Sequence, residues 1–190
     1  MVIIFPTDTV YGIGTPIFDI DGINKIYRLK NRSKSKPLAC LCKDLEQIRM
    51  IAKINKIEEA IINEYMPGAL TIISEAKDEV KEKIGYETIG VRIPNNKLAI
   101  SLLDKYGPML TTSVNESGEE PINDYKIIEK IYGSDVDKVY HNDEKMMKIS
   151  STVVTIKENN VIILRDGFIK KEQIEKTIKE NNIWKYVMEC

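Results

Sequence analysis

The sequence predicts an α/β domain built on a mixed, twisted β-sheet flanked by helices. Three observations predict it. Short apolar runs alternate with amphipathic stretches of helical period, the pattern that packs helices against a sheet. One pair of runs, 151–156 and 161–164, is separated only by a short Asn-rich turn, so at least one hairpin interrupts any parallel arrangement. No repeat, low-complexity segment or linker breaks the 190 residues. One domain over 1–190 is therefore expected, with its motifs in 3–170 and a C-terminal helix and tail over 170–190.

Taken in order, residues 2–5 form a continuous apolar run that Pro6 ends, a buried strand. The polar, glycine-containing stretch 7–14 reads as a loop. Asp19 or Asp21 can cap a helix whose apolar face is Ile23, Ile26 and Tyr27. That helix runs out through 28–36, and Pro37 stops it at the latest. Residues 38–42 are a second strand. Asp44 and Gln47 have capping-box spacing ahead of Leu45, Ile48 and Ile51. Another helix carries Ile57, Ile61 and Tyr65, and Pro67-Gly68 turns the chain into a strand over 69–74. The Lys- and Glu-rich stretch 75–83 reads as a solvated connection. A strand over 88–93 ends at Pro94, and a helix over 98–106 closes at Gly107-Pro108. A strand over 109–112 feeds a turn-rich loop, 113–118. Tyr125, Ile128, Ile131 and Tyr132 mark a helix that Gly133 stops. The hairpin follows, then a helix with Ile174 and Ile178 and an aromatic tail with Trp184 and Tyr186.

Composition narrows the function classes. Twenty-eight Lys and Arg balance 29 Asp and Glu, so no global charge marks a nucleic-acid binder and any anion site must be local. The cysteines are Cys40, Cys42 and Cys190, and the one histidine is His141. A zinc site needs three or four protein ligands. Cys40 and Cys42, on one face of a strand, are therefore expected in the core with no metal bound. The run 2–5 is too short for a leader, and no stretch approaches the ~20 apolar residues of a membrane span. A cytoplasmic protein with no membrane association is expected.

Three features carry chemistry. Residues 25–36 hold Lys25, Arg28, Lys30, Arg32, Lys34 and Lys36 without one acidic residue. If the segment is extended, the last four point one way, about 6.6 Å apart, and a triphosphate carries about that length of negative charge. The same charges also suit a solvated surface turn. Second, strands end in hydroxyl-rich loops holding Thr7 and Thr9, Thr111 to Ser113, and Ser150 to Thr152. Hydroxyls and backbone N–H groups at strand ends are how open α/β sheets hold small polar ligands. Third, Arg92 sits within an apolar strand and needs a counter-anion, either a ligand carboxylate or a structural Asp or Glu. The sequence has neither a GxxxxGK[ST] phosphate loop nor a GxGxxG dinucleotide motif.

Read together, these stretches resemble the YrdC-like threonylcarbamoyl-adenylate synthase family in its short, single-domain form. The resemblance rests on seven stretches in the family's order. They are Pro6-Thr-Asp-Thr-Val-Tyr-Gly-Ile-Gly14; Lys30-Asn-Arg32 with Lys36-Pro37-Leu38; Pro67-Gly68 with Leu70-Thr71; Gly90-Val-Arg-Ile-Pro94; Thr112-Ser-Val-Asn-Glu-Ser-Gly118; Ser151-Thr-Val-Val154; and Ile163-Leu-Arg165 with Gly167. The resemblance implies an ATP-dependent nucleotidyltransferase that joins L-threonine and bicarbonate or CO2 to AMP, with Mg2+ accompanying ATP. Its product would pass to a tRNA threonylcarbamoyl-transferase complex. It implies Lys30, Arg32, Ser113 and Asn115 as catalytic residues. ATP would meet Arg32, Lys36, Thr88, Ser113, Asn115, Pro121 and Arg165. Threonine would meet Thr9, Arg92, Thr111 and Ser151. Leu41 stands where one branch of the family has a histidine near threonine. The alternative function is a non-catalytic module of the same fold that binds tRNA or double-stranded RNA.

Overall fold

The structure, a computed structural model, describes residues 1–158 and 160–180. In chain order the elements are β1 (Ile3–Phe5), β2 (Gly12–Pro16), α1 (Ile20–Leu29), β3 (Ala39–Leu41), α2 (Leu45–Ile51), β4 (Ala52–Lys53), α3 (Lys56–Tyr65), β5 (Leu70–Ala76) and α4 (Asp78–Ile84). Then come β6 (Thr88–Arg92), α5 (Lys97–Tyr106), β7 (Met109–Ser113), α6 (Tyr125–Tyr132), β8 (Lys138–Val139), β9 (Thr152–Lys157), β10 (Asn160–Arg165) and α7 (Lys171–Glu180). All strands join one sheet in the order β10-β9-β5-β6-β3-β7-β2-β1-β8, with β4 beside β5. Pairs β1–β8, β3–β6 and β5–β9 are parallel. The other pairs, including the β9–β10 hairpin, are antiparallel. This is the mixed sheet that the sequence predicts.

Helix starts follow local chemistry. Asp19, not Asp21, caps α1, its carboxylate accepting from Gly22 N at 2.9 Å. Asp44 caps α2 through Gln47 N at 2.8 Å. The expected capping box there is only half made: Gln47 Oε1 accepts from Lys43 N, and its amide reaches Leu103 O. The full reciprocal box forms at Asn55 and Glu58, at the start of α3.

The two-residue period of the strands sorts side chains onto two faces. Ile4, Cys40, Ile72, Val91, Leu110 and Val154 point into the main core with Ile26, Ile61 and Ile174 of the helices. Their neighbours Ile3, Phe5, Leu41 and Met109 point the other way, where Ala99, Leu102 and Leu103 of α5 cover them. Over β5, β6, the end of β7 and β9, the second face is left open for a cleft.

Several elements differ from expectation for identifiable reasons. The end of the anticipated loop 7–14, from Gly12 on, is strand β2, which runs antiparallel between β1 and β7. Gly12 and Gly14 allow it: a Cβ on either would sit 2.7 Å from the Thr111 side chain. The connection 75–83 is the end of β5 followed by α4. The two-residue strands β4 and β8 are fixed by pairing with distant strands, which no local periodicity records. Helix α1 ends at Leu29, and residues after it curl through turns instead of extending. Cys40 and Cys42 are fully buried free thiols. Trp184, Tyr186 and Cys190 lie outside the described residues.

Candidate active site

The open face forms a cleft of about 470 Å3. Its floor follows from strand parity: Ala39 and Leu41 of β3, Thr71 and Ile73 of β5, Thr88, Gly90 and Arg92 of β6, Thr111 and Ser113 of β7, and Val153 of β9 all line it. Gly90 sits in the middle. A Cβ there would come within 2.9 Å of Ile73 Cδ1 and 3.2 Å of Thr71 Cγ2, so glycine keeps the floor flat. The rim comes from strand ends and the loops beside them: Thr7 and Thr9 to Gly12, Arg32, Pro37 and Leu38, Ser150 and Ser151, and Leu164 and Arg165. The described lining includes three arginines and no carboxylate.

Arg92 ties the floor to the first loop. It is 5 % exposed. Its Nε donates to Gly68 O at 2.8 Å, one terminal nitrogen to Thr9 Oγ1 at 2.7 Å, and the other to Asp8 Oδ1 at 2.5 Å. Asp8 Oδ1 also accepts from Asn95 N. Burial pushes the Arg92 guanidinium below its ordinary range, and Asp8 opposes that push. The structural Asp that the sequence left as one alternative is therefore present as Asp8. Asp8 is a structural partner, yet a guanidinium has five N–H donors and these three bonds leave two for a ligand. The loop is preset by Thr7, whose hydroxyl donates to Val10 O and accepts from Val10 N and Thr9 N.

Ser151 is held on the opposite rim. Arg165 donates through two nitrogens to Ser151 O, at 3.1 and 2.8 Å, and also to Ser151 Oγ at 3.0 Å. Thr71 Oγ1 lies 2.8 Å from the same hydroxyl. The close passage of the chain after β10 depends on Gly167, where a Cβ would stand 2.4 Å from Thr152 N and 2.7 Å from Ser150 O. Burial, then the nearby Arg32, pushes the Arg165 guanidinium down. Two like charges therefore face one space, an arrangement that an anion relieves.

Arg32 is half-buried and braces its own loop, donating to Lys36 O at 2.9 Å and Pro37 O at 3.1 Å. Tyr27 of α1 donates to the same Lys36 carbonyl and meets Tyr86, whose hydroxyl accepts from Leu38 N. The expected row of four cations does not form. Lys30 is 2 % exposed and turned inward. Lys34 bonds Asn24 Oδ1 on the exposed face of α1, and Lys36 is an exposed residue off the cleft lining. Helical turns, not an extended strand, set their directions.

Of the residues singled out by sequence, the cleft gathers Thr9, Arg32, Thr88, Arg92, Thr111, Ser113, Ser151 and Arg165. Lys30, Lys36, Asn115 and Pro121 stand outside its lining. Asn115 is buried behind Ser113, its Oδ1 accepting from Ser113 Oγ and Lys30 Nζ. The Pro121 carbonyl accepts from Asn123. Sequence reasoning missed Asp8, Thr71 and Gly90. A buried arginine requires a counter-charge, and Asp8 sits in a loop already singled out. Thr71 and Gly90 needed strand register, which pairs neighbours far apart in sequence.

A mixed sheet with helices over one face, and with an arginine-lined cleft on the part of the other face that α5 leaves open, defines an α/β domain with one candidate ligand site among the described residues. The family model described as Sua5_yciO_yrdC, telomere recombination, matches residues 1–167. The chain belongs to the Sua5/YciO/YrdC family. It is similar to the threonylcarbamoyl-AMP synthase of Pyrococcus abyssi, 31% identical over 184 residues, covering 94% of this chain and 54% of that one. The crystal structure of P. abyssi Sua5 complexed with L-threonine superposes with TM-score 0.86 at 28% identity, covering 93% of this chain and 53% of that chain. The crystal structure of Escherichia coli YciO gives TM-score 0.80 at 26% identity, covering 89% and 84%. The chain thus spans about half the length of the Pyrococcus relative. Among the described residues no helix is long and apolar enough to cross a membrane.

Proposed function

We infer that this chain is an L-threonylcarbamoyladenylate synthase, joining L-threonine, bicarbonate (dehydrated to CO2, with loss of one water) and ATP into threonylcarbamoyl-adenylate and pyrophosphate. The observation that carries the reading is the cleft's charge: Arg32 and Arg165 line it with no carboxylate in the described lining, and Arg92, paired with Asp8 behind the lining, adds N–H donors. Such a site suits a polyanion and an amino-acid carboxylate together. Family membership and the threonine-bound P. abyssi relative support the same substrates.

The residues divide the work by chemistry. Arg92 has two N–H groups beyond those taken by Gly68, Thr9 and Asp8, and they are the donors assigned to threonine's carboxylate. Thr9, Thr111 and Ser151 surround that position with hydroxyls, so threonine is preferred over valine, which cannot satisfy them. Arg32 and Arg165, with Thr88 and Ser113, take the nucleotide. Threonine's amine attacks CO2 and loses a proton, giving an N-carboxylate. A carboxylate oxygen then forms the bond to the α-phosphorus as the bond to pyrophosphate breaks. The described cleft lining holds Ser and Thr hydroxyls but no His, Cys, Lys or carboxylate to activate one, so catalysis rests on positioning and on arginine charge against the developing phosphate charge. With no lining carboxylate, these residues do not fit a resident Mg2+, which usually takes one or two. Magnesium enters as part of the MgATP substrate.

The product, an activated acyl-adenylate, is consumed by an acyl-transferase acting on tRNA. Pyrophosphate release from MgATP tests the reading: it should require threonine and bicarbonate together and fall at least tenfold with valine. Release independent of the amino acid, or none alongside salt-sensitive binding of double-stranded RNA or tRNA, would favour the non-catalytic module.

A further inference from the structure

Lys30 is a buried cation that the cleft does not use. It follows α1 as its C-terminal cap residue and is 2 % exposed. Its Nζ lies 2.5 Å from Ser113 O, 2.6 Å from Asn115 O and 2.8 Å from Asn115 Oδ1. An ammonium has three N–H donors and no acceptor, so these three oxygens saturate it. No carboxylate among the described residues pairs with it. The loop after β7 is also held by backbone bonds: Val114 N donates to Tyr11 O at 3.1 Å, Ile122 N to Val114 O at 2.8 Å and Glu119 N to Glu116 O at 3.1 Å. Ser117 N donates to Lys30 O at 3.0 Å, Asn115 Nδ2 donates to Glu119 O, and Ser113 Oγ donates to Asn115 Oδ1 at 2.7 Å. The loop 113–119 is thus folded around one ammonium, with Ser113 carried to the cleft on its outer side.

We propose that Lys30 is a positioning residue: its ammonium shapes loop 113–119 for the bound nucleotide and makes no contact with the nucleotide itself. The inference rests on the nucleotide reading of the cleft. It separates Lys30 from Arg32 two residues later, which reaches the same cleft directly. The charged groups nearby are Arg32 on the same turn, exposed Arg28 on α1, and exposed Glu116 and Glu119 on the loop. Glu116 also faces Tyr132 of α6.

Burial, and then Arg32, pushes the Lys30 ammonium down to about 8. Once deprotonated, two N–H groups and a lone pair would face three oxygens. One acceptor then loses its donor, and the loop loosens. Over the same range the contribution to global stability moves the opposite way. The folded pKa lies below the unfolded value of roughly 10.4. Between the two the unfolded chain binds more protons, so Lys30's contribution to stability rises with pH. A loop that loosens while this residue's folding penalty shrinks is a signature that general alkaline unfolding does not share. The cleft tyrosine Tyr11 is raised to about 12 by burial and stays protonated across the range.

The test is MgATP binding, without threonine, by calorimetry at pH 7.5 and 9.5, with amide exchange of 113–119 corrected for intrinsic rates. In the wild type, affinity should fall on the order of tenfold and the loop should lose protection together with it. Lys30→Met should show both effects already at pH 7.5 and a flat pH profile. If that variant does not fold, the wild-type titration alone decides. Unchanged affinity and loop protection from pH 7.5 to 9.5 would overturn the proposal. So would a Lys30→Met protein that loses MgATP binding with its loop still protected, since that marks a direct phosphate contact. If the wild type binds no MgATP at any pH, the nucleotide reading fails, while the exchange arm still judges the clamp.

Discussion

Arg92→Lys tests whether one guanidinium serves both fold and ligand. Arg92 joins three segments: its own strand β6, Gly68 after α3, and the first loop through Asp8 and Thr9. A lysine keeps the charge, but its compact head cannot span Gly68 O and Asp8 Oδ1 from one point. With the Asp8 contact kept and the Gly68 carbonyl left without its donor, the expected loss is about 2–3 kcal/mol. At roughly 2–4 °C per kcal/mol for a chain of this size, the melting temperature should fall by about 5–10 °C. The two N–H groups that Arg92 leaves unused disappear as well, so threonine affinity should fall at least about tenfold in the folded fraction. MgATP affinity should change little. Differential scanning fluorimetry with and without threonine, and calorimetry on the same sample, read both quantities. An unchanged melting temperature would refute the three-segment brace. A destabilised protein with intact threonine binding would remove Arg92 from the ligand site and leave it purely structural.

Arg32→Ala should weaken MgATP binding by roughly 10- to 100-fold, the loss of one charge-assisted contact. Lys36→Ala, whose side chain stands outside the cleft lining, should change it far less. Equal losses in titrations of the two variants would show that both reach the nucleotide. Gly167→Ala places a methyl group within 2.4 Å of Thr152 N, against backbone that cannot yield. It should lower stability by about 1–3 kcal/mol and displace Ser151, so a thermal melt unchanged from wild type would refute the close packing.

Much of the fold was legible because its signals are local. Apolar runs placed most of the strands, Asp19 and Asp44 marked helix starts, and Gly107 and Gly133 marked ends. The elements that were missed owe their existence to distant partners. Strand β2 forms because Gly12 and Gly14 fit against Thr111, a hundred residues on. The site was legible in its residue types, since hydroxyls at strand ends and an arginine in an apolar strand are unusual enough to notice. Their directions were not. Lys30, Arg32, Lys34 and Lys36 share spacing and charge, yet backbone turns send one into the protein, one to the cleft and two to the surface. Nor did Arg165 show its hold on Ser151, because that contact depends on the register of the β9–β10 hairpin and its bulge.

The most direct test of the central claim is identification of the product itself. The protein would be incubated with MgATP, L-threonine and 13C-bicarbonate, quenched rapidly, and analysed by mass spectrometry. The account predicts an adduct of threonine and AMP that carries one labelled carbon, formed in step with pyrophosphate and absent when any one substrate is omitted. Pyrophosphate release without a labelled adduct, or an unlabelled threonyl-adenylate in its place, would contradict it.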